Sequence, residues 1–163
     1  MTEKTNAMRL LEQAGIPYEI HHYVYDEGDL SAEKAAENLG MPHERVFKTL
    51  VLRGEHRGIM LALVPAGTEI DFKRLARAAG DKHVEMVPLN EVRKLTGYER
   101  GAVTPLALSK KFPIFIDETL ELWSSVGISA GARGVEIMLT PPDLLQITSA
   151  EIADIARSIQ RGR

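Results

Sequence analysis

The stretch VFKTLVLRGEHRGIMLALV, residues 46–64, decides how this chain folds. It contains two short apolar runs, residues 46–52 and 59–64, with the aliphatic and β-branched composition of buried strands. The six residues between them include Gly54, Gly58 and several charged side chains, a composition that suits a hairpin connection. The pattern therefore predicts a pair of antiparallel strands.

Outward from this pair, apolar spacing and capping residues predict alternating helices and strands. Helices are expected over residues 7–14, 31–39, 71–79 and 89–95, and strands over residues 18–25, 83–87, 114–117, 127–130 and 135–139. Two capping boxes, Thr140 with Asp143 and Thr148 with Glu151, predict two more helices. The second would be a terminal amphipathic helix that uses Ile152, Ile155, Ala156 and Ile159.

The interspersed helices and hairpins predict a mixed α/β fold, with a barrel-like, largely antiparallel mixed sheet surrounded by helices. A chain of 163 residues without repeats or a long linker is expected to form one domain, residues 1–163. The absence of cysteine excludes disulfides, thiolate zinc sites and a cysteine nucleophile. The first 15 residues carry several charges and no unbroken apolar run, so a cytoplasmic protein without a membrane span is predicted.

The net charge of −3 argues against a protein that binds nucleic acid by broad neutralisation of phosphates. No dinucleotide, P-loop, nucleophile-elbow or zincin motif is present. Of the five histidines, His21 and His22 would point to opposite faces of a strand, and the others are scattered. We therefore expect neither a metal nor another cofactor.

Two glycine-bearing segments, residues 97–105 and 127–134, could expose backbone N–H groups that stabilise an oxyanion, although the residues alone favour plain turns. Lys48 is a second unusual feature, because it lies inside an apolar strand on the face of Val46 and Leu50. It could face a cavity with a charged partner, or it could be an edge-strand lysine that deters aggregation.

At these same segments the sequence resembles the YbaK/EbsC family of aminoacyl-tRNA deacylases and prolyl-tRNA synthetase editing domains. The matching stretches are VFKTL at residues 46–50, TGY at 96–98 running to GAVTPL at 101–106, and ISAGARGVEI at 128–137. The resemblance implies a metal-free hydrolase that cleaves the ester of a mischarged aminoacyl-tRNA, Cys-tRNA(Pro) first of all. It also implies the tRNA acceptor end as partner, and prolyl-tRNA synthetase as a possible second partner.

By the same resemblance, Lys48 and Gly101 are expected to be catalytic. The residues expected to bind substrate are Thr49, Tyr98, Thr104, Ser129, Gly131 and Glu136. The chain departs from the family where aspartate is replaced by Glu136, serine by Thr104, and glycine by Ala107 and Ala130. These departures concern selectivity more than the reaction, so an Ala-tRNA(Pro) deacylase and a non-catalytic aminoacyl-binding module stay open as alternatives. A small-molecule esterase using Ser109 or Ser129 lacks a suitably spaced histidine.

Overall fold

The computed structural model describes residues 3–159 and contains five α-helices within that range. They are α1 (Asn6–Gln13), α2 (Ala32–Leu39), α3 (Phe72–Ala79), α4 (Leu89–Thr96) and α5 (Pro141–Thr148), with 3₁₀ turns at His43–Arg45 and Glu118–Leu122. The strands are β1 (Glu19–His22), β2 (Phe47–Gly54), β3 (Gly58–Pro65), β4 (Thr68–Ile70), β5 (Val84–Met86), β6 (Ile114–Asp117), β7 (Val126–Ser129), β8 (Val135–Leu139), β9 (Glu151–Ala153) and β10 (Ala156–Ser158). None of these helices has the length and apolar character needed to cross a membrane.

Local sequence explains where the helices begin and end. The hydroxyl of Ser31 accepts from the Lys34 N–H and the carboxylate of Asp71 accepts from the Arg74 N–H, so both residues act as N-caps. Gly40 and Gly80 end the same two helices in the left-handed conformation that glycine adopts without strain. The helices predicted over residues 31–39 and 71–79 are confirmed.

The predicted hairpin is confirmed, with β2 and β3 paired antiparallel from Phe47 opposite Pro65 to Gly54 opposite Gly58. These strands lie in a five-stranded sheet of order β5-β2-β3-β6-β9, in which β3, β6 and β9 run parallel to one another. A second sheet has the order β1-β8-β7, and β10 pairs with β4 in a third. All the remaining pairs are antiparallel, so the fold is mixed α/β with mostly antiparallel pairing.

The two largest apolar clusters of the described residues hold these layers together. The larger one joins α1, the centre of β3 and β6, the β7–β8 pair and α5 through residues such as Leu11, Leu63, Ile116 and Ile137, all fully buried. The smaller one packs α3 against the opposite face of the five-stranded sheet, around Leu52, Met60 and Leu75. Consecutive residues of β3 thus face different clusters, which explains why β3 is apolar along its whole length.

Two expectations require correction. The three sheets do not close into a barrel within residues 3–159, so the barrel-like description is not confirmed. The terminal amphipathic helix predicted from the Thr148 and Glu151 capping box is wrong, because β9 and β10 occupy that segment. The Thr148 hydroxyl donates to the Leu144 carbonyl inside α5.

Asp117 is one physical reason why this segment is extended. Its Oδ1 accepts hydrogen bonds from the N–H groups of Ile155 (3.0 Å) and Ala156 (2.8 Å), and its Oδ2 accepts from the N–H and hydroxyl of Thr119. Parallel pairing with β6 and antiparallel pairing with β4 satisfy more of the backbone. A buried carboxylate from another strand therefore outweighs a local helical pattern.

Ala107 adopts a φ of 56° in the loop after Pro105, a left-handed conformation that alanine populates poorly. We expect Ala107→Gly to raise the free energy of unfolding by ~0.5–1 kcal/mol, because relief of strain exceeds the entropy that glycine adds to the unfolded chain. Urea titration would measure it. Ala132→Gly is the matched control, since φ at Ala132 is not positive, and we expect that change to destabilise the protein.

Candidate active site

One cavity of about 320 Å³ opens beside the first half of β2. Its wall contains six of the eight residues that the family resemblance implicates: Lys48, Thr49, Tyr98, Gly101, Ser129 and Glu136. The other two, Thr104 and Gly131, do not line it. Residues far apart in sequence therefore meet in one place, on β2, on the loop after α4 and on the β7–β8 pair.

Strand pairing leaves room for this cavity. β5 pairs with β2 only at Leu52, Arg53 and Gly54, so it does not cover the first half of β2 on that side. The same half is tied to the β1-β8-β7 sheet by a single bridge between Val46 and Gly127. The cavity occupies the gap between the two sheets, and α2 and α4 contribute further wall residues, among them Ala32, Ala35, Leu89 and Val92.

Lys48 lies on this wall with its side chain 22% exposed. Its Nζ lies 3.4 Å from Oε1 of Glu33, in the first turn of α2, whose side chain is 26% exposed. Lys48 thus faces a cavity and has a charged partner. This geometry is the first of the two roles that its sequence position leaves open.

The loop after α4 brings Gly101 to the opposite side of the cavity. Its φ is 84°, and a Cβ built on it would lie 3.0 Å from Cβ of Leu30, so glycine is required there both by conformation and by space. Within residues 3–159 the N–H of Gly101 donates no hydrogen bond. A free, fixed backbone donor at a cavity wall is the type of group that stabilises an oxyanion.

Pairing of β7 with β8 places Ser129 directly opposite Glu136. The Ser129 hydroxyl accepts from the Gly131 N–H at 3.1 Å, which fixes its position. A Cβ on Gly131, whose φ is 92°, would lie 2.9 Å from the ring of Tyr98, so Gly131 allows that ring to pack closely. The hydroxyl of Tyr98 in turn donates to the Leu106 carbonyl at 2.6 Å.

Glu136 is 3% exposed and has the most unusual electrostatic setting in the cavity. Its carboxyl lies over Gly127, where a Cβ would approach Oε2 to 3.1 Å. Burial raises the pKa of Glu136 to about 8, from an ordinary value of 4.5. Burial also raises the pKa of the nearby Tyr23, and the negative charge of ionised Glu136 raises that pKa further. The carboxyl is therefore largely protonated at neutral pH, and it can donate a hydrogen bond.

This pKa predicts how stability depends on pH. Between about pH 4.5 and pH 8 the folded chain holds a proton that the unfolded chain has released, so stability falls as pH rises through this window. From pH 5 to pH 7 we expect the wild type to lose roughly 2–2.5 kcal/mol more unfolding free energy than Glu136→Gln, which cannot titrate. Urea titrations at both pH values would test this; parallel losses in the two proteins would contradict it.

Two buried threonine hydroxyls, Thr49 Oγ1 and Thr104 Oγ1, have no hydrogen-bond partner among the described residues. Thr49 is among the residues that line the cavity, although its hydroxyl oxygen is itself buried. Thr104 is fully buried away from the wall, beside Pro105 and Leu106. Such orphaned groups are costly, and they commonly mark functional sites.

A possible group of metal ligands lies elsewhere on the described surface, formed by Glu55, His56 and Asp81. The Asp81 carboxylate already accepts hydrogen bonds from the N–H groups of His56, Arg57 and Lys82. These bonds close the turn between β2 and β3, which gives the carboxylate a structural role. The expectation that the protein uses no metal stays a prediction.

Sequence reasoning missed three features of the site. Glu33 carried no signal beyond that of an acid in the first turn of a helix, and Tyr23 carried none beyond strand propensity. The apolar part of the wall, which includes Met86, Val87, Leu89 and Val92, was assigned to short secondary-structure elements without a functional role. Only long-range packing of α2 and α4 on β2 reveals these contributions.

Comparison with known proteins gives consistent results. The model of the aminoacyl-tRNA editing domain matches residues 27–147. The chain is 42% identical over 153 residues to EbsC of Enterococcus faecalis, a candidate deacylase of Cys-tRNA(Pro) and Cys-tRNA(Cys), covering 94% of this chain and 93% of EbsC.

A solved structure of a candidate trans-editing enzyme for prolyl-tRNA synthetase superposes with a TM-score of 0.82 at 27% identity, covering 96% of this chain and all of the other. A proline–tRNA ligase of Thermosipho africanus is 31% identical over 87 residues, which span 53% of this chain and 15% of the ligase. This chain belongs to the aminoacyl-tRNA editing domain family.

Proposed function

We propose that this protein is a trans-editing hydrolase that cleaves the ester between a wrong amino acid and the 3′ end of tRNA, with Cys-tRNA(Pro) as its substrate. The observation that carries the proposal is the meeting of the Lys48 ammonium, the free Gly101 N–H and the buried Glu136 carboxyl around one cavity. The similarity to EbsC supports the choice of amino acid and tRNA.

An aminoacyl ester is reactive enough that orientation and charge stabilisation suffice for its cleavage. A nucleophile adds to the carbonyl carbon, the carbonyl oxygen becomes an oxyanion, and the bond to the ribose oxygen breaks as that oxygen takes up a proton. With water as nucleophile the products are the free amino acid and uncharged tRNA. This chemistry agrees with a cavity wall that contains neither cysteine nor histidine among the described residues.

In this proposal the Gly101 N–H donates to the developing oxyanion, and the Lys48 ammonium neutralises its charge or that of the terminal nucleotide. A well-aimed backbone donor is worth ~2.7–4 kcal/mol in the transition state. The left-handed backbone of Gly101 and the contact of Lys48 with Glu33 limit where the two groups can lie, which reduces the reorganisation needed during the reaction.

Ser129 and Glu136 then position the ribose or the substrate α-amino group from the other side, and Thr49 offers its unpaired hydroxyl. A positively charged amino group would favour the ionised form of Glu136, whereas the empty cavity favours the neutral form. Tyr98 shapes the wall. Gly131 and Thr104, which do not line the cavity, act through Tyr98 and the Gly101 loop respectively.

Selectivity for cysteine needs more than the fit of the side chain. Distinguishing similar small side chains by fit is worth only ~1–3 kcal/mol, or roughly 10- to 200-fold. A substrate thiol held beside its own ester can attack the carbonyl itself, with a high effective concentration and a larger ionised fraction than a serine hydroxyl. The C–S bond forms as the bond to the ribose oxygen breaks, that oxygen takes up the thiol proton, and water then hydrolyses the resulting cyclic thioester to free cysteine. We therefore propose that the substrate thiol supplies part of the catalysis.

The test is a single-turnover deacylation panel that uses tRNA(Pro) charged with cysteine, serine, alanine or proline. We expect Cys-tRNA(Pro) to be cleaved more than ~200-fold faster than Ser-tRNA(Pro), because fit alone gives at most about that ratio. Blocking the thiol is expected to suppress the rate even when the substrate still binds. Faster cleavage of alanine would indicate water attack and an alanine specificity, and binding without release of any amino acid would indicate a non-catalytic module.

The proposed setting is the cytoplasm, with the acceptor end of tRNA as the direct partner and prolyl-tRNA synthetase as the protein that delivers it. The net charge of −3 supports a small contact with few phosphates, for which a delivery partner is useful. Pull-down of prolyl-tRNA synthetase in the presence and absence of tRNA(Pro) would test the second partner.

A further inference from the structure

The Lys48 ammonium is anchored on one side by a residue that does not line the cavity. Oε1 of Glu33 lies 3.4 Å from Nζ of Lys48, and Glu33 belongs to the first turn of α2. Its neighbours Ser31 and Ala32 reach the wall, whereas Glu33 does not. The carboxylate therefore contacts the lysine without occupying the space that the substrate would use.

The contact with Lys48 leaves the second carboxylate oxygen of Glu33 without a hydrogen bond. Oε2 is buried and has no hydrogen-bond partner among residues 3–159. A buried acceptor that loses water without gaining a partner destabilises the fold. Glutamate at the start of a helix gains only a modest interaction with the helix dipole, which many exposed positions could provide without this cost. The arrangement makes sense if it serves Lys48.

A lysine side chain has several rotatable bonds and three equivalent donors, so an ammonium held at no point samples many positions. One donor bound to Glu33 leaves two donors for the cavity and limits where the nitrogen can lie. We infer that Glu33 is a positioning residue, which holds the Lys48 ammonium at the ester-binding side of the cavity. This inference rests on the catalytic role proposed for Lys48.

The experiment compares Glu33→Gln and Glu33→Asp with Glu37→Gln. Glu37 is the matched control, since it lies one turn along the same helix and its carboxylate contacts His43 at 3.2 Å on the exposed side. Each variant is assayed with Cys-tRNA(Pro) under single-turnover and steady-state conditions. Each is also labelled with ¹³C at lysine Cε, and the Lys48 resonance is assigned by its loss in Lys48→Ala. Melting temperatures confirm that each variant is folded.

We expect Glu33→Gln to lower kcat on the order of 10- to 100-fold with KM within about 2-fold, because misplacement of a catalytic group reduces the rate more than ground-state binding. The Lys48 resonance is expected to shift in the same variant. Glu33→Asp, which keeps the charge with a shorter reach, is expected to recover part of kcat. Glu37→Gln is expected to change neither quantity.

Unchanged kcat in folded Glu33→Gln, or reduced kcat with an unmoved Lys48 resonance, would overturn the positioning role. In both cases the proposed function would still be supported, provided that the wild type hydrolyses Cys-tRNA(Pro) and Lys48→Ala does not. No turnover by the wild type would instead refute the proposed function, and the resonance would then report only whether the contact exists. If Glu33→Gln does not fold, Glu33→Ala takes its place, and unchanged kcat in that variant would overturn the inference.

Discussion

Replacement of Lys48 by alanine is expected to reduce single-turnover hydrolysis of Cys-tRNA(Pro) by ~10²–10³-fold, the loss typical of removing one preorganised group that stabilises transition-state charge. The ammonium is the only cation that β2 contributes to the cavity wall, and the arginines on that wall, Arg93 and Arg100, belong to α4 and the loop after it. No other group on that strand can replace it. The rate would be measured as cysteine released with enzyme in excess over charged tRNA.

The fold is expected to survive this substitution. Lys48 is partly exposed, its contact with Glu33 is long at 3.4 Å, and pairs of this kind stabilise proteins by ~1 kcal/mol or less. Lys73→Ala is the control, because Lys73 is an exposed residue of α3 that does not line the cavity. Near-wild-type turnover by folded Lys48→Ala would remove Lys48 from the reaction.

Asp117→Ala is expected to lower the free energy of unfolding by ~3–5 kcal/mol, a large loss for a single substitution. Asp117 is 2% exposed, and its carboxylate accepts four hydrogen bonds. These bonds join the end of β6 to the start of β10 and to the 3₁₀ turn at Glu118–Leu122, which follows β6. Alanine leaves the N–H groups of Ile155 and Ala156 without their acceptor. Chemical denaturation followed by circular dichroism would measure the loss.

Asp154→Ala is a suitable control for this prediction, because Asp154 is adjacent to the same segment but pairs on the surface with Arg74 at 3.1 Å. We expect it to cost less than ~1 kcal/mol, as exposed ion pairs usually do. Asp117→Asn is expected to give an intermediate loss. The amide oxygen can still accept hydrogen bonds, but the amide N–H₂ replaces the other acceptor and faces the Thr119 N–H, which is also a donor. Equal effects of Asp117→Ala and Asp154→Ala would contradict the structural role of Asp117.

Local sequence signals predicted most of the secondary structure. Ser31 with Gly40, and Asp71 with Gly80, marked two helices by caps that act within a few residues, and the glycines between residues 53 and 58 marked the hairpin. The chain end was mispredicted, because the helical spacing of its isoleucines predicts one buried face, whereas Ile152 and Ile159 are exposed and Ile155 is buried. Asp117 and the partner strands β4 and β6, all distant in sequence from that segment, favour the extended structure.

The site was predicted in part. The resemblance to an editing family identified residues on three segments, and six of them share one cavity wall. It could not identify Glu33, whose effect depends on the packing of α2 beside β2, nor the extent of burial that sets the pKa of Glu136. The catalytic and substrate-binding roles of the residues implied by the resemblance stay predictions, as do the single domain and the absence of a cofactor. A barrel was expected from hairpin signals, which report pairs of strands and not whether sheets close.

If an aminoacyl ester is cleaved in the cavity between Lys48, Gly101 and Glu136, an analogue that cannot be hydrolysed should bind there in a defined orientation. A crystal structure with the amide analogue of 3′-cysteinyl-adenosine tests this most directly. We predict the cysteinyl carbonyl oxygen within about 3.5 Å of both the Gly101 nitrogen and the Lys48 Nζ, the limit for hydrogen bonds. An analogue bound outside this cavity, or one whose carbonyl faces the apolar wall of Met86 and Leu89, would contradict the proposed mechanism.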